Sequence, residues 1–266
     1  MINKPLILAI KGDARQQAAV RALKGCFDTT LTQFPLSGAE SADVLFLPML
    51  TGSGSFEELS SHLKSGALIL GGRMPDELKQ SFSSMGFEPV DYYDSETLRL
   101  KNALPTAEGT LMLAMQNTPY VIGGSSVLVT GFGACGRQIA RLFSAVGATV
   151  CVAARSPSAR AEAEAQGFRS ATLENLSGII SAADIIINTV PAKIIGRQEL
   201  SSAKENALFI EIASAPFGID EKCASELGIN YVKAPALPAR YAPQTSGEYI
   251  AQTVKELIEQ RREGSP

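Results

Sequence analysis

Residues 127–156 read VLVTGFGACGRQIARLFSAVGATVCVAARS. The run opens on an apolar strand, VLVT, passes through Gly131, Gly133 and Gly136 in G-x-G-x-x-G spacing, and enters an amphipathic helix pattern. In that strand-turn-helix setting the first glycine permits a tight turn, the second lets a pyrophosphate approach the backbone, and the third lets helix and strand pack closely. Phosphates would rest at the helix amino terminus, where unpaired N–H groups and the helix dipole favour an anion. Gly131, Phe132, Gly133, Ala134, Cys135 and Gly136 are therefore the candidate cofactor loop. In this fingerprint an Asp or Glu roughly 20 residues on binds the ribose hydroxyls and repels a 2'-phosphate. Here the second strand ends in Ala154, Arg155 and Ser156. Loss of the acid, a guanidinium and a hydroxyl point to NADP, with Arg160 as a second phosphate contact.

Working outward, apolar runs alternate with helix-period segments, which predicts parallel sheets with crossover helices. After the glycine loop the pattern predicts strands at 149–153, 168–172, 184–190, 207–213 and 230–234, with helices at 157–166, 174–182 and 220–227. Before it, strands are expected at 5–10, 29–34, 43–50, 66–72 and 87–93, with helices at 13–24, 55–64 and 75–85. The fold class is α/β: two Rossmann-like doubly wound domains joined by a connecting helix, with a cleft between them. The boundaries are 1–104 for a substrate-side domain, 105–122 for the connecting helix, with Pro105 in its first turn, and 123–244 for the NADP-binding domain. A final helix, 245–262, has no strand left to serve and is expected to pack back on the first domain. Asn188, Thr189, Val190 and Pro191 follow one strand, and Ala213 and Ser214 the next. Such carboxyl-end positions border the nicotinamide in open α/β sheets.

Composition narrows the partners. The 266 residues carry a net charge of -3 and no long basic run, which argues against nucleic acid. The amino-terminal apolar run is too short for a membrane span or a signal core, so a cytoplasmic protein with no membrane partner is expected. Four widely separated cysteines, read as small buried residues, give no metal or disulfide pattern. The one histidine, His62, has polar neighbours and reads as a solvated side chain.

On the substrate side, Arg15 after the first strand is suited to clamp a carboxylate. Thr51, Gly52 and Ser53 after the third and Arg73 after the fourth extend an anion-binding set, and Arg240 is a further candidate. Asp13 is a candidate catalytic residue that reads equally well as a helix N-cap. Glu108 is a candidate general base or a helix-dipole partner.

KGDARQ, the long stretch 105–156, INTVP and APALPARYAPQTSGE together resemble the A-subunit family of dipicolinate synthase, most densely over 105–156. The stretch 53–100 matches least. The resemblance implies an NADP-dependent dehydrogenase acting on the CH–CH bond of dihydrodipicolinate, a small dicarboxylate, to give dipicolinate during bacterial sporulation. That places it on a branch of the lysine and diaminopimelate route. It also implies a flavoprotein-like B subunit as partner; a homo-oligomer stays open. A noncatalytic NADP-binding scaffold and a shikimate-dehydrogenase-like oxidoreductase are the alternatives. A D-2-hydroxyacid dehydrogenase would need an acid/base histidine on the cofactor domain, and none follows His62.

Overall fold

The computed structural model describes residues 4–33, 41–49 and 60–264. Thr51, Gly52, Ser53 and most of the helix expected at 55–64 lie outside them. The first elements are β1 (Leu6–Ile10), α1 (Ala14–Leu23), β2 (Asp28–Thr32), β3 (Ala42–Met49), β4 (Leu63–Gly72), α2 (Asp76–Ser84), β5 (Glu88–Asp91) and α3 (Glu96–Asn117). There follow β6 (Ser126–Thr130), α4 (Ala134–Ala145), β7 (Thr149–Ala153), α5 (Pro157–Ala165), β8 (Arg169–Ala171), α6 (Leu176–Ile180) and β9 (Ile185–Asn188). The chain ends with α7 (Arg197–Ser201), β10 (Leu208–Glu211), α8 (Glu221–Glu226), β11 (Asn230–Lys233), α9 (Leu237–Tyr241) and α10 (Pro243–Gly264).

Two compact units result, Met1–Asn102 with Ala242–Pro266, and Ala103–Tyr241. The first is built on a parallel sheet in the order β2-β1-β3-β4-β5. Its central strands β1, β3 and β4 are buried on both faces, so alternate residues feed two cores. Ile7, Ala9, Val44, Phe46, Leu68 and Leu70 meet α1 and α10, while Leu8, Ile10, Leu45, Leu47 and Ile69 meet Leu78 and Phe82 of α2. Helix α10 supplies Ile250, Ala251, Val254 and Ile258 to the first of these cores. Its contact with α1 is close: a Cβ on Gly247 would lie 2.5 Å from Ala18 Cβ and from the Arg15 carbonyl oxygen.

The second unit carries a six-stranded parallel sheet, β11-β10-β9-β6-β7-β8. Val127, Val129, Ile185, Ile187, Leu208 and Ile210 pack with α4 residues Ile139, Ala140 and Phe143, and the other face packs on Leu176, Ile180 and Leu200. Strand order reverses at β6, between β9 and β7, which marks the ligand end of such sheets.

Four details depart from the sequence reading. Helix α3 starts at Glu96, so Pro105 lies inside it and not in its first turn. The tertiary packing of Leu98, Ala103 and Ala107, all wholly buried, outweighs the helix-breaking tendency of proline. Glu108 is consequently mid-helix, where the dipole argument for a first-turn acid does not apply. Leu63 and Lys64 belong to β4 because Leu63 pairs with Ala42 of β3. Cys26 is exposed, in the turn after α1, while Cys135, Cys151 and Cys223 are half-buried.

Candidate functional site

The glycine loop has the geometry a dinucleotide needs. Gly131 sits at φ +85, and a Cβ there would come within 2.5 Å of Thr189 Oγ1. Its N–H donates to the Ala153 carbonyl at 2.8 Å, closing the turn between β6 and β7. A Cβ on Gly136 would run into the Gly131 carbonyl, so the start of α4 lies directly on the turn. Gly133, the N-cap of α4, faces open space, with no atom within 4 Å of where a Cβ would stand. No side chain caps that helix end. An open glycine at an uncapped helix amino terminus fits a pyrophosphate. Phe132 is buried and packs edge-on against Phe168 at 6.1 Å, so it anchors the loop from within.

At the end of β7, Ala154 is buried, and Arg155 and Ser156 are exposed. The Ser156 hydroxyl is 2.6 Å from that of Ser158. Arg160 folds back, its Nη1 donating to the carbonyls of Ala154 and Arg155 at 2.8 Å each. Arg137 of α4 makes a two-pronged bond to Glu162 of α5, 2.7 Å on each arm. That pairing raises the guanidinium and lowers the carboxyl from their ordinary values, the mutual hydrogen bond being the main cause in both.

Sequence reasoning passed over the buried polar group at the carboxyl ends of β9 and β10. Glu211, the last residue of β10, is 0% exposed. Its carboxylate accepts from the Asn188 amide at 2.8 and 3.0 Å, and from the N–H groups of Ala213 (3.0 Å), Gly218 (2.7 Å) and Ile219 (2.9 Å). Asn188, also 0% exposed, accepts from Thr130 Oγ1 at 2.6 Å and from the Val190 N–H at 3.1 Å. The Thr189 hydroxyl donates to the Thr130 carbonyl at 2.7 Å. Asn188 thus lies beneath the loops, tying β6, β9 and β10 together, while Pro191 and Ser214 are exposed and Val190 is half-exposed. The legible signal was one acid in the otherwise apolar run LFIEI.

In the first unit Asp13 caps α1, accepting from the N–H groups of Arg15 and Gln16 at 2.9 and 3.2 Å. It also receives Arg15 Nε and Nη2 at 3.0 and 2.6 Å. Burial pushes the Asp13 carboxyl up, but these bonds and the guanidinium charge outweigh it and hold the group below the ordinary aspartate value. Arg73 is exposed, at φ +53, with its guanidinium 4.6 Å from the centre of the Tyr93 ring. Glu108 and Arg240 are exposed, and Arg240 lies over the Tyr241 ring at 5.4 Å.

Residues 106–223 match the family model described as D-isomer specific 2-hydroxyacid dehydrogenase, NAD binding domain. The second unit therefore carries a dehydrogenase-type nicotinamide-dinucleotide-binding domain. The A subunit of dipicolinate synthase from Bacillus subtilis (strain 168) is 39% identical over 169 residues, 64% of this chain and 57% of that relative. The crystal structure of dipicolinate synthase, A chain, from Bacillus subtilis superposes with a TM-score of 0.88 at 28% identity, covering 100% of this chain and 99% of that one. The protein is similar in both sequence and fold to the dipicolinate synthase A subunit. The corresponding structure from Bacillus halodurans shares the fold, with a TM-score of 0.87 at 24% identity and full coverage of both chains. The sequence alignment to the curated Bacillus subtilis relative spans somewhat over half of that protein. Among the described residues no helix is long and apolar enough to cross a membrane, and no cluster of three metal-ligating side chains occurs.

Proposed function

We propose that the chain oxidises dihydrodipicolinate to dipicolinate with NADP, alongside a flavoprotein-like B subunit. The observation that carries this reading is the open Gly133 cradle followed by Ala154-Arg155-Ser156, in a chain whose whole fold matches the dipicolinate synthase A subunit. The glycine loop and the α4 amino terminus would hold the pyrophosphate. Arg155 and Ser156, exposed at the end of β7, would take the 2'-phosphate, with Arg160 bracing the strand end between them. When bound, NADP supplies the hydride acceptor. The substrate gives up one hydride and one proton, and aromatisation of the ring drives the step. What the protein must do is orient the ring and receive the proton.

Arg15, Arg73 and Arg240 are the proposed cations for the two carboxylates. Asp13 is a poor base, because its lowered pKa leaves it little affinity for a proton near neutrality. Glu108, exposed and mid-helix, is the better candidate. The test is to follow dipicolinate and NADPH absorbance with freshly generated dihydrodipicolinate and NADP, with and without the B subunit. Equal growth of both products supports the reading. Dipicolinate at the spontaneous rate with no NADPH, even with B present, would leave a nucleotide-binding subunit whose chemistry lies elsewhere.

A further inference from the structure

Two buried donor groups in the first unit, the Tyr92 hydroxyl and Arg15 Nη1, lie at one level of the sheet, and among the described residues no oxygen receives either. Tyr92 is 1% exposed, and its hydroxyl has no hydrogen-bond partner among the described residues. A buried hydroxyl left this way carries an uncompensated desolvation penalty. Phenylalanine would fill the same space beside Phe46, whose ring meets Tyr92 edge-on at 5.8 Å. Arg15 is 7% exposed. Two of its nitrogens are engaged by Asp13, and Nη1 meets the Met49 sulfur, a weak acceptor, at 3.5 Å.

Strand register brings the two donors to one place. Met49 is the cross-strand partner of Gly72, and a Cβ on Gly72 would stand 2.6 Å from the Tyr92 hydroxyl. The residue touching Arg15 and the residue lying on the phenol are therefore neighbours at the carboxyl ends of β3 and β4. Burial, the larger influence, pushes the phenol above its ordinary pKa, while the nearby Arg15 charge pulls the other way. The group is thus a donor at neutral pH and not a base. Asp91 fixes the surroundings, accepting from the N–H groups of Arg73, Met74 and Tyr93 at 2.8–2.9 Å. Tyr231 also lacks a partner among the described residues, but it is half-buried on edge strand β11 and only carboxylates, Glu211 and Glu221, bear on it, whereas at Tyr92 the Arg15 cation stands beside Asp91 and Asp13.

We infer that Arg15 and Tyr92 form a two-donor site for one carboxylate of the substrate, the guanidinium supplying charge and the phenol O–H fixing the anion's orientation. The inference rests on the dicarboxylate reading above. Met49, half-buried and unbranched, is the side chain that gives way as the anion enters.

The decisive variant is Tyr92→Phe, followed by thermal denaturation, by kinetics with dihydrodipicolinate and NADP, and by calorimetric titration of dipicolinate. The proposal expects an unchanged or higher Tm and an unchanged KM for NADP. KM for the dicarboxylate should rise about tenfold to a hundredfold, the range for losing a hydrogen bond to a charged group. A lower Tm would mean that the hydroxyl has a structural partner, and a substrate KM within twofold of wild type would mean that it meets no substrate; either overturns the proposal. Should wild type show no turnover, the function proposed above fails by itself. Dipicolinate binding then decides this site separately: weaker binding to the variant supports it, and equal or absent binding overturns it.

Discussion

Arg155 is the residue on which cofactor choice turns in this reading, because its exposed guanidinium stands where the fingerprint places an acid. Arg155→Asp should lower the kcat/KM ratio for NADP over NAD by about tenfold to a hundredfold, the worth of one or two charge-assisted bonds. An unchanged ratio would remove Arg155 from the phosphate site. Glu211 presents a different case, since its carboxylate satisfies four buried nitrogens in a place solvent does not reach. Glu211→Ala strands the three backbone N–H groups, while the Asn188 amide keeps its bond to the Val190 carbonyl, and should cost roughly 3–5 kcal/mol in denaturant unfolding. A cost under about 1 kcal/mol would show that water replaces the carboxylate without strain. Asp13 links stability to pH. Its folded pKa lies below the ordinary 3.8, so its contribution is complete above that value and is lost as pH falls through the folded pKa. Asp13→Asn should therefore flatten the acid limb of a Tm-against-pH curve below about pH 4 and lower Tm at neutrality; identical acid limbs would contradict this.

At the scale of elements, the turn from β6 into α4 was legible because everything it needs falls within one strand, one turn and one helix. The positive φ of Gly131 and the closeness of Gly136 to the turn are local demands that only glycine meets. Gly131→Ala should lose about 1–3 kcal/mol of stability from backbone strain alone, with weaker NADP binding by calorimetry. Wild-type affinity in that variant would argue that the loop does not cradle the phosphates. Helix α3 was misread for the complementary reason. Pro105 is a good local signal for a helix start, yet buried contacts on both sides of it carry the helix from Glu96 through to Asn117. The α1–α10 contact is likewise invisible locally, since Gly247 and Ala18 are far apart in the chain. Gly247→Ala should cost about 1–3 kcal/mol by overpacking two helix backbones, read as a lower Tm.

For the whole molecule, a net charge of -3 sets the expectation that a DNA duplex shows no mobility shift at about 0.15 M salt. By itself the sequence determined the class of fold, the position of nearly every strand, the glycine cradle and the missing ribose acid. Each of these is written in periodicity or in short fixed spacing, which a chain expresses before it meets itself. Only the tertiary structure decided which polar groups face one another. It set Glu211 against Asn188 and Gly218, spent Asp13 on Arg15, and laid the Tyr92 hydroxyl beneath Gly72 beside the strand that touches Arg15. Those pairings depend on strand order and register, which bring together residues dozens of positions apart. A buried polar group gains its meaning from the partner found there, or from the lack of one.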